Sequence, residues 1–470
     1  MEAPAPQKNE IQGMFEGPIL PLALKLSIPF FISNVVGLFY LVIDTYFITL
    51  IDRSSTALIS GTGLVFPVYF LFLALGMGIN IGVSSLVARA IGEKNQAAME
   101  RAADSGLLIA SVIAVTALTL GYVFGSDILH FLAGSELTEE AIGHGLRFFY
   151  FLLPALGLLL LGHVLLGVLQ GEGLTRYIAT ASVLSAVVNI ALDPLLIFYF
   201  NMGVAGAGLA TTLGIAVAAV YVIGIFVKEK SSIPIHWNLM KARMKLVGEI
   251  LRVGSIQSLQ MGALSVTFMF LNNIVSSIGQ DAMNSWALCG RTDQIMFIPA
   301  FALSGAAISM VGQNYGRGNL ARVRHIYART VLLGMAMVFG LAIVYNIAAE
   351  WIFSGFSTVE EVIRGSVAQV RALSFTFIGV STAMISSSTF QATGRPVPAL
   401  LITLIRMLLL AVPAAYLLVH VLGMEMPGVF ISLAAGNVVA LPLAWAWTML
   451  HLKKLKVRSL DGDPPPAPPY

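Results

Sequence analysis

This sequence predicts an all-α integral membrane protein: twelve transmembrane helices in two pseudo-symmetric six-helix lobes around a central cavity. Three observations carry that expectation. Of its 470 residues, 57% are hydrophobic and only 11% charged, whereas an average soluble chain carries about 25% charged residues. Twelve apolar runs are each long enough for a bilayer core ~30 Å thick, which takes about 20 residues. Short motifs also recur, in order, in the two halves.

The runs lie at roughly 20–50, 58–87, 102–125, 145–169, 176–200, 205–227, 250–277, 284–312, 326–349, 366–390, 397–420 and 427–451. Several exceed a single span, which tilt or extension into the cytoplasm accommodates. The first stretch, MEAPAPQKNEIQGMFEGP, has no apolar core, so no cleaved signal peptide is expected. If the N-terminus is cytoplasmic, the inner loops collect Arg89, Lys94, Arg101, Arg176, Lys228, Lys230, Lys241, Arg243, Lys245, Arg317, Arg322, Arg324, Arg329 and Arg395, and the tail adds Lys453, Lys454, Lys456 and Arg458. The outer loops hold only Arg53, Arg147 and Arg364. Such asymmetry places both termini in the cytoplasm of a multi-pass protein of the inner (cytoplasmic) cell membrane.

The longest polar interruption, KEKSSIPIHWNLMKARMK, divides the chain into equal sets of six. VARAIGEKNQAA (87–98) aligns with VGQNYGRGNLAR (311–322), pairing Gly92 with Gly316 and Asn95 with Asn319. LQGEG (169–173) aligns with FQATG (390–394) at nearly the same offset. Both halves begin and end inside, so the repeat is parallel, about an axis along the membrane normal. The expected organisation is a cytoplasmic segment 1–17, an N-lobe 18–227, a cytoplasmic linker 228–245, a C-lobe 246–452 and a basic, then Pro-rich, tail 453–470.

Two carboxylates interrupt this apolar pattern. Asp44 lies in the first run and Asp193 in the fifth. A charge at the bilayer centre costs roughly 3 kcal/mol or more and marks an ion or substrate path. Taking Met202 as the turn between the fifth and sixth runs, Asp193 is nine residues before it and Thr211 nine after. At 1.5 Å per residue they share a depth on neighbouring helices. Asn189, four residues before Asp193, shares its face. Asp44 lies one to two turns below the same surface. Asp44, Asn189, Asp193 and Thr211 therefore supply hard oxygen ligands for an alkali cation. Alternatively the two acids share a proton, because two adjacent like charges do not both ionise readily. Pro194 frees the carbonyl of Ile190 and Pro29 that of Lys25, so both are candidate gating bends; a purely structural kink is the competing reading.

A weaker set, Gln257, Gln260, Met261, Asn272 and Arg291, is a candidate substrate cavity, with helix-to-helix hydrogen bonding as the alternative. Asp293 paired across helices with Arg371 or Arg406 reads as a structural bridge. His163 and Cys289 read as packed interior groups. There is no P-loop, no H-E-x-x-H and no paired cysteine motif, so no ATPase or zinc enzyme is expected, and no cofactor.

SIPFFISNVVGLFYLVIDTYFI, FPVYFLFLALGMGINIGVSSLVARAIGEKN, NIALDP, GVAGAGLATT, FIPAFALSGAAISMVGQNYGRGN and FQATGRP together resemble the bacterial-type multidrug and toxic compound extrusion (MATE) family, in order and in both halves. The resemblance implies a secondary antiporter that exports organic cations or amphiphilic drugs in exchange for Na⁺ or H⁺ by alternating access. It maps the N-lobe cation site, a Na⁺ site if coupling is to sodium, onto Asp44, Asn189, Asp193 and Thr211. Acidic residues that other branches carry in segments seven and ten are here Gln257, Gln260 and Arg371. The expected partners are the lipid bilayer and a small organic cation, with no nucleic acid and a functional monomer. A lipid-linked precursor flippase and an intramembrane lipid-modifying enzyme are the competing readings.

Overall fold

The computed structural model describes residues 13–51, 56–134, 137–235 and 242–456. The first twelve residues, Arg53, Glu136, Lys241, the middle of the linker and the Pro-rich tail lie outside the described residues. Among the described residues, twelve helices are long and apolar enough to cross a membrane. They are α1 (Ile19–Ile51), α2 (Ala57–Gly92), α3 (Gln96–Ala133), α4 (Glu139–Glu172), α5 (Thr175–Tyr199), α6 (Val204–Val227), α7 (Met244–Ile278), α8 (Gln280–Gly316), α9 (Leu320–Ser354), α10 (Glu360–Ala392), α11 (Val397–Val421) and α12 (Glu425–Lys454). Each matches one of the twelve apolar runs, because backbone groups in hydrocarbon must be satisfied within the segment itself.

The repeated motifs do the same work in each half. The Asn95 side chain accepts from the Ala98 N–H at 3.0 Å and caps α3, and Asn319 accepts from the Arg322 N–H at 3.0 Å and caps α9. An asparagine here satisfies a backbone donor that the first helical turn leaves without a partner. Gly173 ends α4 and Gly394 follows α10, both with positive φ (84° and 72°), a backbone region that costs glycine no Cβ clash. Gly92 lies against the Gln313 carbonyl and Gly316 against the Arg89 carbonyl, so the ends of α2 and α8 cross with no room for a side chain.

Two compact units emerge. One takes the chain up to Phe31, Ala88–Lys94 and everything from Ile256 onward; the other takes Ile32–Val87 and Asn95–Ser255. In the second of these, α4 packs on α3 and α6, and α5 on α6. In the first, α10 packs on α9 and α12, and α11 on α12, which is the same pattern one repeat later. The start of α1 belongs to the latter unit because Met14, Ala23 and Leu26 are buried with Leu303, Ala307, Tyr315 and Leu452. Arg322 adds hydrogen bonds to the carbonyls of Met14 (3.2 Å) and Gly17 (2.6 Å). In the other unit, Glu172 at the end of α4 accepts from the Ser231 hydroxyl (2.6 Å) and the Ser232 N–H (2.8 Å), tying down the start of the linker.

Two helices widen to π turns, α5 beside the candidate site and α11 in the other unit. α5 widens to a π-helical turn over Leu195–Tyr199, directly after Pro194. α11 is π-helical over Leu404–Ala411 and again over Leu417–Val421. Pro removes an N–H and displaces the helix, and π turns absorb such a displacement by widening the ring of the backbone bond. By contrast α1 runs unbroken through Pro29.

Candidate functional site: a carboxylate pair on α1 and α5

The four residues expected to hold a cation meet within one unit. Asn189 and Asp193 are one turn apart on the inward stripe of α5, and both are buried (1% and 0% exposed). Thr211 on α6 is buried opposite them. The Asn189 Nδ2 donates to the Thr211 hydroxyl oxygen at 3.3 Å, and that hydroxyl donates to the Ala207 carbonyl at 3.1 Å. The same oxygen lies 3.2 Å from the Tyr40 hydroxyl on α1. Asp44 is one turn beyond Tyr40 on α1, within electrostatic reach of both Asp193 and the Tyr40 hydroxyl. The Tyr69 hydroxyl on α2 also feels Asp44.

The bonding leaves a specific set of oxygens over. Asp44 Oδ1, Asp193 Oδ1 and Oδ2, and Asn189 Oδ1 are all buried and accept no hydrogen bond from any described residue. Buried acceptors are ordinarily paired, and each exception calls for an explanation. The Asn189 amide commits its nitrogen to Thr211, which leaves its Oδ1 as an acceptor without a donor. Four electron-rich oxygens without a donor form a cradle for a hard cation or a proton. Among the described residues no group of three His, Cys, Asp or Glu side chains comes together.

Thr211 is the group that orients this cradle. Thr211→Val keeps the shape but removes the acceptor for both Asn189 and Tyr40. Releasing a hydrogen bond of about 1 kcal/mol lets the amide rotate. We expect an approximately fivefold or larger loss of coupling-ion affinity, read by isothermal titration of the purified protein, with the thermal midpoint little changed. Undiminished affinity would show that Thr211 does not orient the amide.

The family follows from the sequence at large. The MatE family model matches residues 29–195 and 258–417, one segment in each half and more than half of the chain. This chain is a member of the MatE family. It is a multi-pass membrane transporter of the multidrug efflux family, not an enzyme. A FAD transporter of Shewanella oneidensis is 26% identical over 92% of this chain and 93% of its own. The multidrug export protein MepA of Staphylococcus aureus is 21% identical over 83% and 85%. An outward-facing multidrug resistance MATE transporter shares the fold with a TM-score of 0.89, at 24% identity over 96% of this chain and 99% of that one. The MATE transporter ClbM in complex with Rb⁺ is 32% identical over 93% and 96%, with a TM-score of 0.83.

The weaker candidates of this MatE protein lie elsewhere. Gln260 donates to the Ala399 carbonyl (2.9 Å) and the Thr403 hydroxyl (3.1 Å). Gln391 donates to Gln257 (2.7 Å) and to Gln260 (3.2 Å). Their amides join α7, α10 and α11. Asn272 accepts from the Trp286 indole N–H at 2.6 Å, Arg291 is exposed, and Met261 is half-buried. The bridge expected between Asp293 and an arginine is absent among the described residues. Asp293 takes its hydrogen bonds from Tyr345 (3.2 Å) and Gln369 (3.2 Å), Arg371 is exposed, and Arg406 bonds Asn437. Neutral donors satisfy Asp293 without burying a second charge, which is the less costly arrangement. His163 bonds the Leu159 carbonyl at 2.8 Å beside Gly76, within a helix interface as expected.

Sequence reasoning missed Tyr40 and Tyr69. Tyr40 is four residues before Asp44, hence on the same helix face. The spacing that linked Asn189 to Asp193 would have found it.

Proposed function

We propose that this transporter is a secondary antiporter that exports amphiphilic or cationic organic molecules by alternating access, driven by Na⁺ or H⁺ held between Asp44 and Asp193. One observation supports this reading above all: four buried oxygens on α1 and α5 have no hydrogen-bond donor among the described residues. The Rb⁺ present in the 32%-identical relative is an alkali cation, which is in keeping with an oxygen-lined site in this family. Asp44 and Asp193 take the ion or proton, Asn189 lends its carbonyl, and Thr211 and Tyr40 hold that carbonyl in place. Neutralising the acids removes the repulsion between α1 and α5 and lets the helices close. Pro29 and Pro194, which have no N–H to donate to the preceding turn, are the proposed bending points. One charge crossing 100 mV supplies ~2.3 kcal/mol to the cycle, with any concentration gradient added. The protein works as a monomer in the inner membrane with both termini in the cytoplasm, in line with the basic inner loops. A flippase for lipid-linked precursors would need a strongly basic cavity, and the buried acids argue against it.

The test is substrate-induced ion flux in proteoliposomes, with Na⁺ and pH varied independently. Wild-type protein should move one of the two ions against substrate, and Asp44→Asn should transport only down the substrate gradient. Ion-driven accumulation by Asp44→Asn equal to that of the wild type would remove Asp44 from the coupling site.

A further inference from the structure

The second repeat lacks the acid of the first and carries an arginine about two turns away on the same stripe. Gly214 on α6 packs against the Ser185 carbonyl of α5, at 2.7 Å from where a Cβ would stand, with the Asn189 Cβ next at 3.3 Å. Gly436 on α12 packs against the Arg406 carbonyl of α11, also at 2.7 Å, with the Ala411 Cβ at 3.6 Å. The two contacts are the same contact, one repeat apart. Ser185 therefore corresponds to Arg406, Asn189 to Ala411 and Asp193 to Ala415. Four residues separate the first pair and five the second. The extra residue is accounted for by the π-helical run Leu404–Ala411, since a π turn inserts one residue into an α-helix. The inward stripe of α5 thus reads Ser185–Asn189–Asp193, and that of α11 reads Arg406–Ala411–Ala415. The cation ligands are deleted and a guanidinium is added.

Arg406 is 7% exposed, nine residues into a 25-residue spanning helix, which puts it about 14 Å from that helix end and near the middle of a bilayer core. Its only described partner is a neutral amide: Nη1 donates to Asn437 Oδ1 at 3.0 Å. Asn437 is itself fixed by donating to Thr376 at 3.0 Å. No carboxylate among the described residues pairs with Arg406, and Asp293 is held by Tyr345 and Gln369 instead. The guanidinium keeps Nε and Nη2 as donors without a described acceptor. An arginine placed this way in a membrane-spanning bundle is costly unless something brings a negative charge to it. The donor pair left over matches the two oxygens of a carboxylate or phosphate.

We infer that Arg406 is an anion subsite in the C-terminal half of this transporter, where the carboxylate or phosphate of an amphiphilic substrate is bound by the Nε and Nη2 edge of the guanidinium while Asn437 holds its other edge. The subsite rests on the efflux reading for its cargo and extends that reading: substrates bearing an anionic group belong to the range.

The test uses purified full-length protein in nanodiscs, with wild type, Arg406→Gln and Arg406→Lys compared. Riboflavin and flavin mononucleotide share one fluorescent ring system and differ by a phosphate, and inorganic phosphate at constant ionic strength serves as the bare anion. In wild type, flavin mononucleotide should bind at least about tenfold more tightly than riboflavin, the ratio for one charge-assisted pair. Arg406→Gln should bring that ratio to one, and Arg406→Lys should leave it in between. In the absence of any anion the glutamine variant should melt no lower than wild type, because it removes a buried charge without a counterion, whereas a structural arginine would lower the midpoint. A ratio near one in wild type, or one that survives in Arg406→Gln, overturns the subsite. Stabilisation of wild type by phosphate that Arg406→Gln loses, without discrimination between the flavins, assigns the arginine to a free anion and overturns its role in the substrate range. Equilibrium binding is independent of ion flux, so a failure of coupling through Asp44 leaves this result readable, and the reverse holds.

Discussion

Asp193→Asn is expected to abolish ion-driven efflux. Both carboxylate oxygens of Asp193 are fully buried and accept no hydrogen bond from a described residue. Asparagine has the same shape, so the packing against α6 survives. What changes is the character of the cradle. One oxygen becomes an NH₂ donor among acceptors that have no donor of their own, Asp44 Oδ1 and Asn189 Oδ1 included, and competes with the ion for them. Losing a charge-assisted ligand and filling the gap with a donor should weaken cation binding by about 100-fold or more, equivalent to ~2.8 kcal/mol or above. In the absence of cation the variant should be at least as stable as wild type, because a buried charge without a partner is costly to fold around. Thermal unfolding with and without Na⁺, and across pH, reads both effects in one experiment. If Asp193→Asn retains ion-dependent stabilisation and ion-driven uptake, the pair is not the coupling site.

A second large effect is expected from a residue with no functional group. Gly379, in the inward part of α10, packs directly on the Asn437 carbonyl of α12, and a Cβ there would overlap that oxygen. The obstacle is backbone inside a helix, so it cannot rotate aside as a side chain could. Small residues at helix crossings are what allow close approach in a membrane, where no hydrophobic effect drives helices together. Gly379→Val should therefore force α10 and α12 apart. Overpacking usually costs 1–3 kcal/mol and occasionally more, and here it would also displace Asn437 from Arg406 and Thr376. We expect loss of the monodisperse fraction in size-exclusion chromatography. Gly340→Ala is the control: nothing lies within 4 Å of a Cβ at Gly340 on α9, and alanine favours the helix by up to ~1 kcal/mol. A monodisperse Gly379→Val protein with an unchanged midpoint would show that the crossing relaxes.

That the four candidate residues share one region was legible beforehand, for reasons that apply to few other groups in the chain. Asp44 and Asp193 stand out because acid in hydrocarbon is rare, and the short turn at Met202 fixes Thr211 and Asp193 to one depth on adjacent helices. Counting residues along two antiparallel helices is then a measurement of distance. Tyr40 was recoverable from the same arithmetic. Asp293 and Arg406 were not: each was visible as a buried charge, but pairing them needed the rotation of α8 and α11 about their axes, which residue counts leave open. The glutamines of α7 illustrate the same gap. Gln257 and Gln260 are polar on a spanning helix, which suits a cavity or a helix contact equally, and only the positions of Gln391, Ala399 and Thr403 decide for contact.

By itself the sequence determined the number of spans, the place of each along the chain, the repeat and the family, because each of these depends on how long an apolar run is and what interrupts it. The tertiary structure alone decided which polar side chains find partners and which oxygens are left without one. Hydrogen bonds depend on distances of a few tenths of an ångström and on helix rotation, and neither is encoded in the order of residues along any one helix.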